Sequence, residues 1–204
     1  MKKRLLSLLC ALALTTGLCR AAKAKYPDIA GDEWFVDAVE DMTEKGIMTG
    51  LEGGLFGPYE PVTRATVITV LWRLEGSPAT DTADPFPDAE EDWYGPQAAW
   101  AKETGVASGY DDGSFGGRDL VTKEQLACFL YRYAQYKQEP LASGALGLFR
   151  DAEAISPWAE EAVRHAVGVG ILKGNDKGTL EPQGIANRAA LAVMLQRMQT
   201  PAVG

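Results

Sequence analysis

Residues 34–64 read WFVDAVEDMTEKGIMTGLEGGLFGPYEPVTR, and this stretch decides the fold because the chain repeats its pattern twice more. Residues 93–123 (WYGPQAAWAKETGVASGYDDGSFGGRDLVTK) and 158–188 (WAEEAVRHAVGVGILKGNDKGTLEPQGIANR) align with it without a gap. Counting from Trp34, Trp93 and Trp158, glycines fall at +12 (Gly46, Gly105, Gly170) and +16 (Gly50, Gly109, Gly174). A bulky apolar residue follows at +22 (Phe56, Phe115, Leu180), and a cation at +30 (Arg64, Lys123, Arg188). A unit used three times without a catalytic constellation points to binding at several equivalent places and away from an enzyme.

Working outward, an aromatic-x-aspartate triplet precedes each tryptophan: Tyr26-Pro27-Asp28, Phe86-Pro87-Asp88, Phe149-Arg150-Asp151. Beyond the tryptophan, apolar residues recur at +5, +8 and +13: Val39, Met42 and Ile47, then Ala98, Ala101 and Val106, then Val163, Ala166 and Ile171. That is the period of a helix burying one face, and the +12 glycine stands where a left-handed C-cap would end it. The next segment reads Gly, any, acid, any, Gly, any, large apolar, which predicts a tight turn whose apolar residue plugs back into the core. Its acids also invite a calcium hypothesis, but the alternating acids and closing glutamate of a calcium loop are missing. A second helix begins at the cation, preceded by the N-cap residues Thr63, Thr122 and Asn187. Three residues beyond each cap stand Thr66, Gln125 and Ala190, so only the middle copy retains a capping box. The stripe that follows (Val67, Val70, Leu71; Leu126, Phe129, Leu130; Leu191, Met194, Leu195) is the stronger of the two, so the second helices are expected to pack on one another.

The N-terminus carries Lys2, Lys3 and Arg4, a run of 14 residues from Leu5 to Leu18 without a charge, and Ala22-Lys23-Ala24. The run is too short to span a bilayer, which takes about 20 residues, and the layout predicts a signal peptide over 1–24, leaving no membrane segment after cleavage. The formal charge of −8 would fall to −13 on losing the five cations of that segment, which contains no acid. Nucleic acid needs a basic face and is excluded as a partner. An anionic ligand would have to be met by isolated cations against the overall field. Two of three cysteines lie in 1–24, so Cys128 has no intrachain partner in the processed chain and reads as a small apolar residue. The one histidine, His165, lacks a second ligand to share a metal with. No metal, cofactor or catalytic residue is assigned.

Aromatic-x-Asp, then Trp, then Gly-Ile-Met-Thr-Gly (46–50), Phe-Gly-Pro (56–58) and Val-Thr-Arg-Ala (62–65) resemble the S-layer homology (SLH) module of bacterial cell-surface proteins. The resemblance covers residues 26–74, 86–133 and 149–198, with 75–85 and 134–148 as linkers. It implies a mainly α fold: a pseudo-threefold trimer of SLH repeats, two main helices each, with the second helices in a central three-helix bundle. It also implies a secreted protein held at the cell wall or S-layer by non-covalent binding of secondary cell-wall polysaccharide, often pyruvylated, in grooves between repeats. Carried over by position, the ligand-facing set is Asp28, Trp34, Gly50 and Arg64 in the first copy. In the second it is Asp88, Trp93, Gly109 and Lys123, and in the third Asp151, Trp158, Gly174 and Arg188.

Elementary chemistry supports such a site. An arginine on the first turn of a helix places its fork beside free backbone N–H groups and the positive end of the dipole. A tryptophan offers a flat face to a sugar ring, though at a helix start it is as readily a core plug; an aspartate accepts hydroxyls, or caps the helix. The family's glutamate is replaced in every copy, by Thr66, Gln125 and Ala190, and Lys123 cannot form an arginine's bidentate fork, so its groove is expected to be the weakest. Two other readings stay open. One is a surface-assembly protein that uses the same fold on a protein partner. The other is a wall-associated carbohydrate-active enzyme using paired carboxylates.

Overall fold

Each copy folds as helix, glycine-bounded loop, helix. The computed structural model describes residues 25–80, 86–89 and 92–200; the expected signal peptide lies outside them. Among the described residues there are six α-helices: α1 (Val36–Glu44), α2 (Arg64–Leu74), α3 (Gly95–Glu103), α4 (Lys123–Tyr136), α5 (Glu160–Gly168) and α6 (Arg188–Gln199). None of the described helices is long and apolar enough to cross a membrane. The first helices end as their spacing predicts, on Gly46, Gly105 and Gly170 at φ +70°, +74° and +77°. They begin later than predicted, two residues past the tryptophan. The core plug at that corner is the residue after it: Phe35, Tyr94 and Ala159 are at most 2% exposed.

The second helices start where their caps place them. Thr63 accepts from Thr66 N, Thr122 from Gln125 N and Asn187 from Ala190 N, and only Thr122–Gln125 closes a reciprocal box. Burial along these helices is nearly all-round, with Leu191 through Leu195 buried in succession, so they are the interior helices while α1 and α5 keep an exposed face. Each packs on the first helix of the following copy: α2 on α3, α4 on α5, and α6 back onto α1; α2 also touches α4.

At the centre the copies are joined through backbone. Val62 N donates to Ala186 O (3.0 Å), Ala186 N to Val121 O (2.8 Å) and Val121 N to Val62 O (3.1 Å). This is a closed triangle with one bond per pair of copies, and all three residues are fully buried. The N–H groups two and three residues further along each copy continue the pattern. Arg64 and Ala65 donate to Asp119 O and Gly117 O, Lys123 and Glu124 to Gly184 O and Pro182 O, and Arg188 and Ala189 to Glu60 O and Pro58 O.

The loop glycine at +16 has a common reason other than its dihedral, which is left-handed only at Gly109. The triplet aromatic lies directly on it: a Cβ would fall 2.8 Å from Tyr26 at Gly50, 2.6 Å from Phe86 at Gly109 and 2.7 Å from Phe149 at Gly174. In the middle copy this separates two glycines of like φ. Gly113→Ala, at φ +84° with open space around the new methyl, is expected to cost about 1–2 kcal/mol for the backbone alone. Gly109→Ala, at φ +73° against Phe86 and the Ser114 carbonyl, is expected to add about 1–3 kcal/mol of overpacking. Urea unfolding checks this, and equal midpoints for the two variants would contradict the packing account.

Candidate functional site: grooves between copies

The triplet aspartates act first on their own loops. Asp28 accepts from Phe56 N (2.9 Å) and Gly57 N (2.7 Å), Asp88 from Phe115 N and Gly116 N (2.7 and 2.8 Å), and Asp151 from Leu180 N and Glu181 N (2.9 and 2.7 Å). Both oxygens of each carboxylate are engaged, and none of the three caps a helix. Partial burial raises the Asp28 carboxyl, but the two loop N–H bonds and the nearby Arg188 charge outweigh it, and its pKa lies below the ordinary 3.8.

The +30 cations reach forward into the next copy. Arg64 Nε donates to Phe115 O (2.8 Å), with its guanidinium stacked over Tyr110, Phe115 and Phe129 at 4.6–5.3 Å. Arg188 Nε donates to Phe56 O (2.8 Å) and a terminal nitrogen to Thr49 O (2.6 Å), over the Phe56 ring at 4.5 Å. Lys123 Nζ pairs with Glu181 at 2.6 Å. Burial lowers the basicity of both arginines. The free N–H groups expected beside these cations are not there. The first two N–H groups of each second helix are spent on the neighbouring copy's carbonyls and the third on its own cap. Closing the ring uses the orphan donors that would otherwise make a helix-start anion site, so anion recognition is left to side chains.

The tryptophans point outward. Trp34, Trp93 and Trp158 are 62%, 63% and 61% exposed, the same geometry three times. Trp34, Lys123 and Gly174, each from a different copy, line one groove of about 510 Å³. Trp93 lines another of about 280 Å³ with Thr63 and Ala65 of the first copy and Arg118 of its own. The set carried over copy by copy is therefore regrouped. A cation sits by the aspartate and loop of the following copy (Arg64 with Asp88, Arg188 with Asp28), and in the groove of Lys123 the tryptophan comes from the copy after that.

Several functional candidates escaped the sequence reading. Arg73, Arg132 and Arg197 recur at +39, where extending the alignment nine residues would have found them. Arg73 and Arg197 each donate to a loop carbonyl, Ile47 O and Ile171 O, both at 3.2 Å. Glu124, where the other copies have Ala65 and Ala189, is 1% exposed. Its carboxylate is satisfied by Ser156 N (2.9 Å), Ser156 Oγ (2.8 Å) and Gln183 Nε2 (2.8 Å). Cys128 is half-buried and burial pushes its thiol up to about 11, so it is no nucleophile at neutral pH. His165 is buried and its Nδ1 accepts from Ala142 N (3.2 Å), a packing role.

The S-layer homology domain model matches residues 25–68, 85–127 and 148–192. The chain belongs to the S-layer homology family. Membership places this SLH chain at the bacterial cell surface, associated with the wall. It is similar to an S-layer protein of Bacillus thuringiensis subsp. finitimus, with 28% identity over 87% of this chain and 21% of that protein. The S-layer protein sap of Bacillus anthracis gives 28% over 87% and 21%. An endoglucanase of Bacillus sp. (strain KSM-635) gives 26% over 85% and 18%. The SLH chain thus spans about a fifth of the length of these relatives.

The Asp28 clamp carries a pH dependence. Asp28 is more acidic folded than unfolded, so its stabilisation is whole above the unfolded value of 3.8 and is lost as pH falls through the lower folded value. The melting temperature is expected to fall on acidification below about pH 4. Asp28→Asn lowers it at neutral pH and makes the acid fall shallower; an unchanged acid slope would remove Asp28 from the account.

Proposed function

We propose that the chain is a non-catalytic anchor that holds a surface protein to the bacterial wall by binding secondary cell-wall polysaccharide, with acidic substituents such as pyruvate ketals, in grooves between its copies. The observation that carries this reading is the threefold outward tryptophan, more than 60% exposed at each position. A rigid ring that large stays in water at three equivalent sites when each has something flat to cover. Trp34 lies in one groove with two lysines, an arginine and loop amides, the mix of apolar face and convergent polar groups that a sugar needs.

The physical alternatives fare worse. With two backbone N–H groups held by each triplet carboxylate, these acids are poor candidates for the proton transfers of glycoside hydrolysis. The endoglucanase relative matches over 18% of its length, which fits an accessory region. Several weak grooves on one polymer add avidity without a tight single site.

The test is sedimentation of residues 25–204 with purified walls, before and after acid extraction of the wall polysaccharide. Binding is expected to be lost on extraction. Single Trp34→Ala, Trp93→Ala and Trp158→Ala variants are expected to lower the retained fraction while stability stays within about 0.5 kcal/mol, as for an exposed site. Retention on extracted walls, or tryptophan variants that bind fully, would overturn the reading.

A further inference from the structure

We propose that Arg197, rather than Lys123, is the cation that recognises an acidic sugar unit in the groove lined by Trp34. The inference rests on the wall-polysaccharide reading above and names the charge that site uses. Three cations line the groove: Lys123, Lys173 and Arg197. Lys123 already has a counter-ion in Glu181, at 2.6 Å. Glu181 occupies a left-handed position, φ +54°, which the other copies fill with Gly57 and Gly116. The other oxygen of Glu181 accepts from Asn175 Nδ2 (3.1 Å), which holds the carboxylate beside Lys123.

Arg197 is in the opposite condition. It is half-buried on α6 and gives one terminal nitrogen to Ile171 O at 3.2 Å. Among the described residues it has no ion pair. For Arg64 and Arg188, neighbouring acids (Asp119 and Asp88; Asp28 and Glu60) oppose the effect of burial, whereas only burial acts on Arg197. A half-buried guanidinium without a counter-ion is costly unless something anionic joins it, and its remaining donors suit a carboxylate. The groove wall supplies the rest: the Trp34 face for a sugar ring, an apolar floor from Leu172, Val193 and Met194, and exposed Lys173 at the rim. Its volume of about 510 Å³ suits one or two sugar units.

The experiment uses the full processed chain with two readouts. One is wall sedimentation; the other is the indole N–H resonance of Trp34, assigned with Trp34→Phe, titrated with methyl glucuronide and with uncharged methyl glucoside. Methyl glucuronide is expected to shift the Trp34 signal and the glucoside far less. Arg197→Gln is expected to weaken the glucuronide response at least about tenfold, Arg197→Lys to recover part of it, and Lys123→Gln to cost less than about threefold. Thermal unfolding of each variant checks the loss of the Ile171 contact. If Arg197→Gln binds glucuronide as the unsubstituted chain does, or Lys123→Gln loses more, the assignment is wrong even where walls are still bound. If the glucuronide shift depends on Arg197 but walls are not bound, the subsite stands and the wall reading falls. Absence of both signals overturns both.

Discussion

The triangle of backbone hydrogen bonds among Val62, Val121 and Ala186 is the constraint on which the rest of the structure depends. Each bond joins a different pair of copies, and each lies where water cannot compete, so an unmade bond there leaves a buried donor and acceptor unsatisfied. A linear array of repeats can add or lose a terminal unit with one interface. A closed ring cannot: without the third copy, Val62 N and Val121 O both lose their partners, and α1 loses α6. The ring closes only where residues near 62 and 186 meet, which makes the three copies one cooperative body.

Closure also decides what is left over for recognition. The start of each second helix is the natural anion site of such a fold, yet its first three N–H groups serve the neighbour's turn and its own cap. The +30 arginines belong largely to the same joint, with Nε on the next copy's carbonyl and the guanidinium on its aromatic rings. A position that recurs because it holds copies together looks, in sequence, the same as one that recurs because it holds ligand. Burial separates them: Arg64 and Arg188 are partly consumed by the fold, whereas the tryptophans, 61–63% exposed, contribute little to it.

This separation explains what was legible beforehand. Local devices could be read from spacing because they act within a few residues: the C-terminal glycines at +12, the caps at Thr63, Thr122 and Asn187, and the plugs Phe56, Phe115 and Leu180. The helical stripes were equally plain. The grooves were not, because offsets from one tryptophan describe a single copy while the groove of Trp34 draws on three. Separation along the chain hid the roles of the aspartates, whose partners lie in the same copy but 27–30 residues away. Arg197 was hidden as well, since recurrence at +39 carries no sign of which arginine lines a groove.

The middle joint shows the ring tolerating a change of chemistry at fixed geometry. Where the other joints pair arginine with a glycine turn, this one pairs Lys123 with Glu181, accepting a non-glycine residue at φ +54°. Beside it Glu124 replaces a buried alanine and finds donors in Ser156 and Gln183 of the next copy. Lysine brings a compact charge without a planar fork, so it cannot span a carbonyl and an aromatic face as Arg64 does; an acid at the turn restores the cross-copy link by a different route. The backbone bonds on either side, Lys123 N to Gly184 O and Glu124 N to Pro182 O, match those of the other joints to within 0.2 Å. The exchange is therefore confined to side chains: it ties up the lysine and leaves Lys173 and Arg197 as the other cations of the adjoining groove.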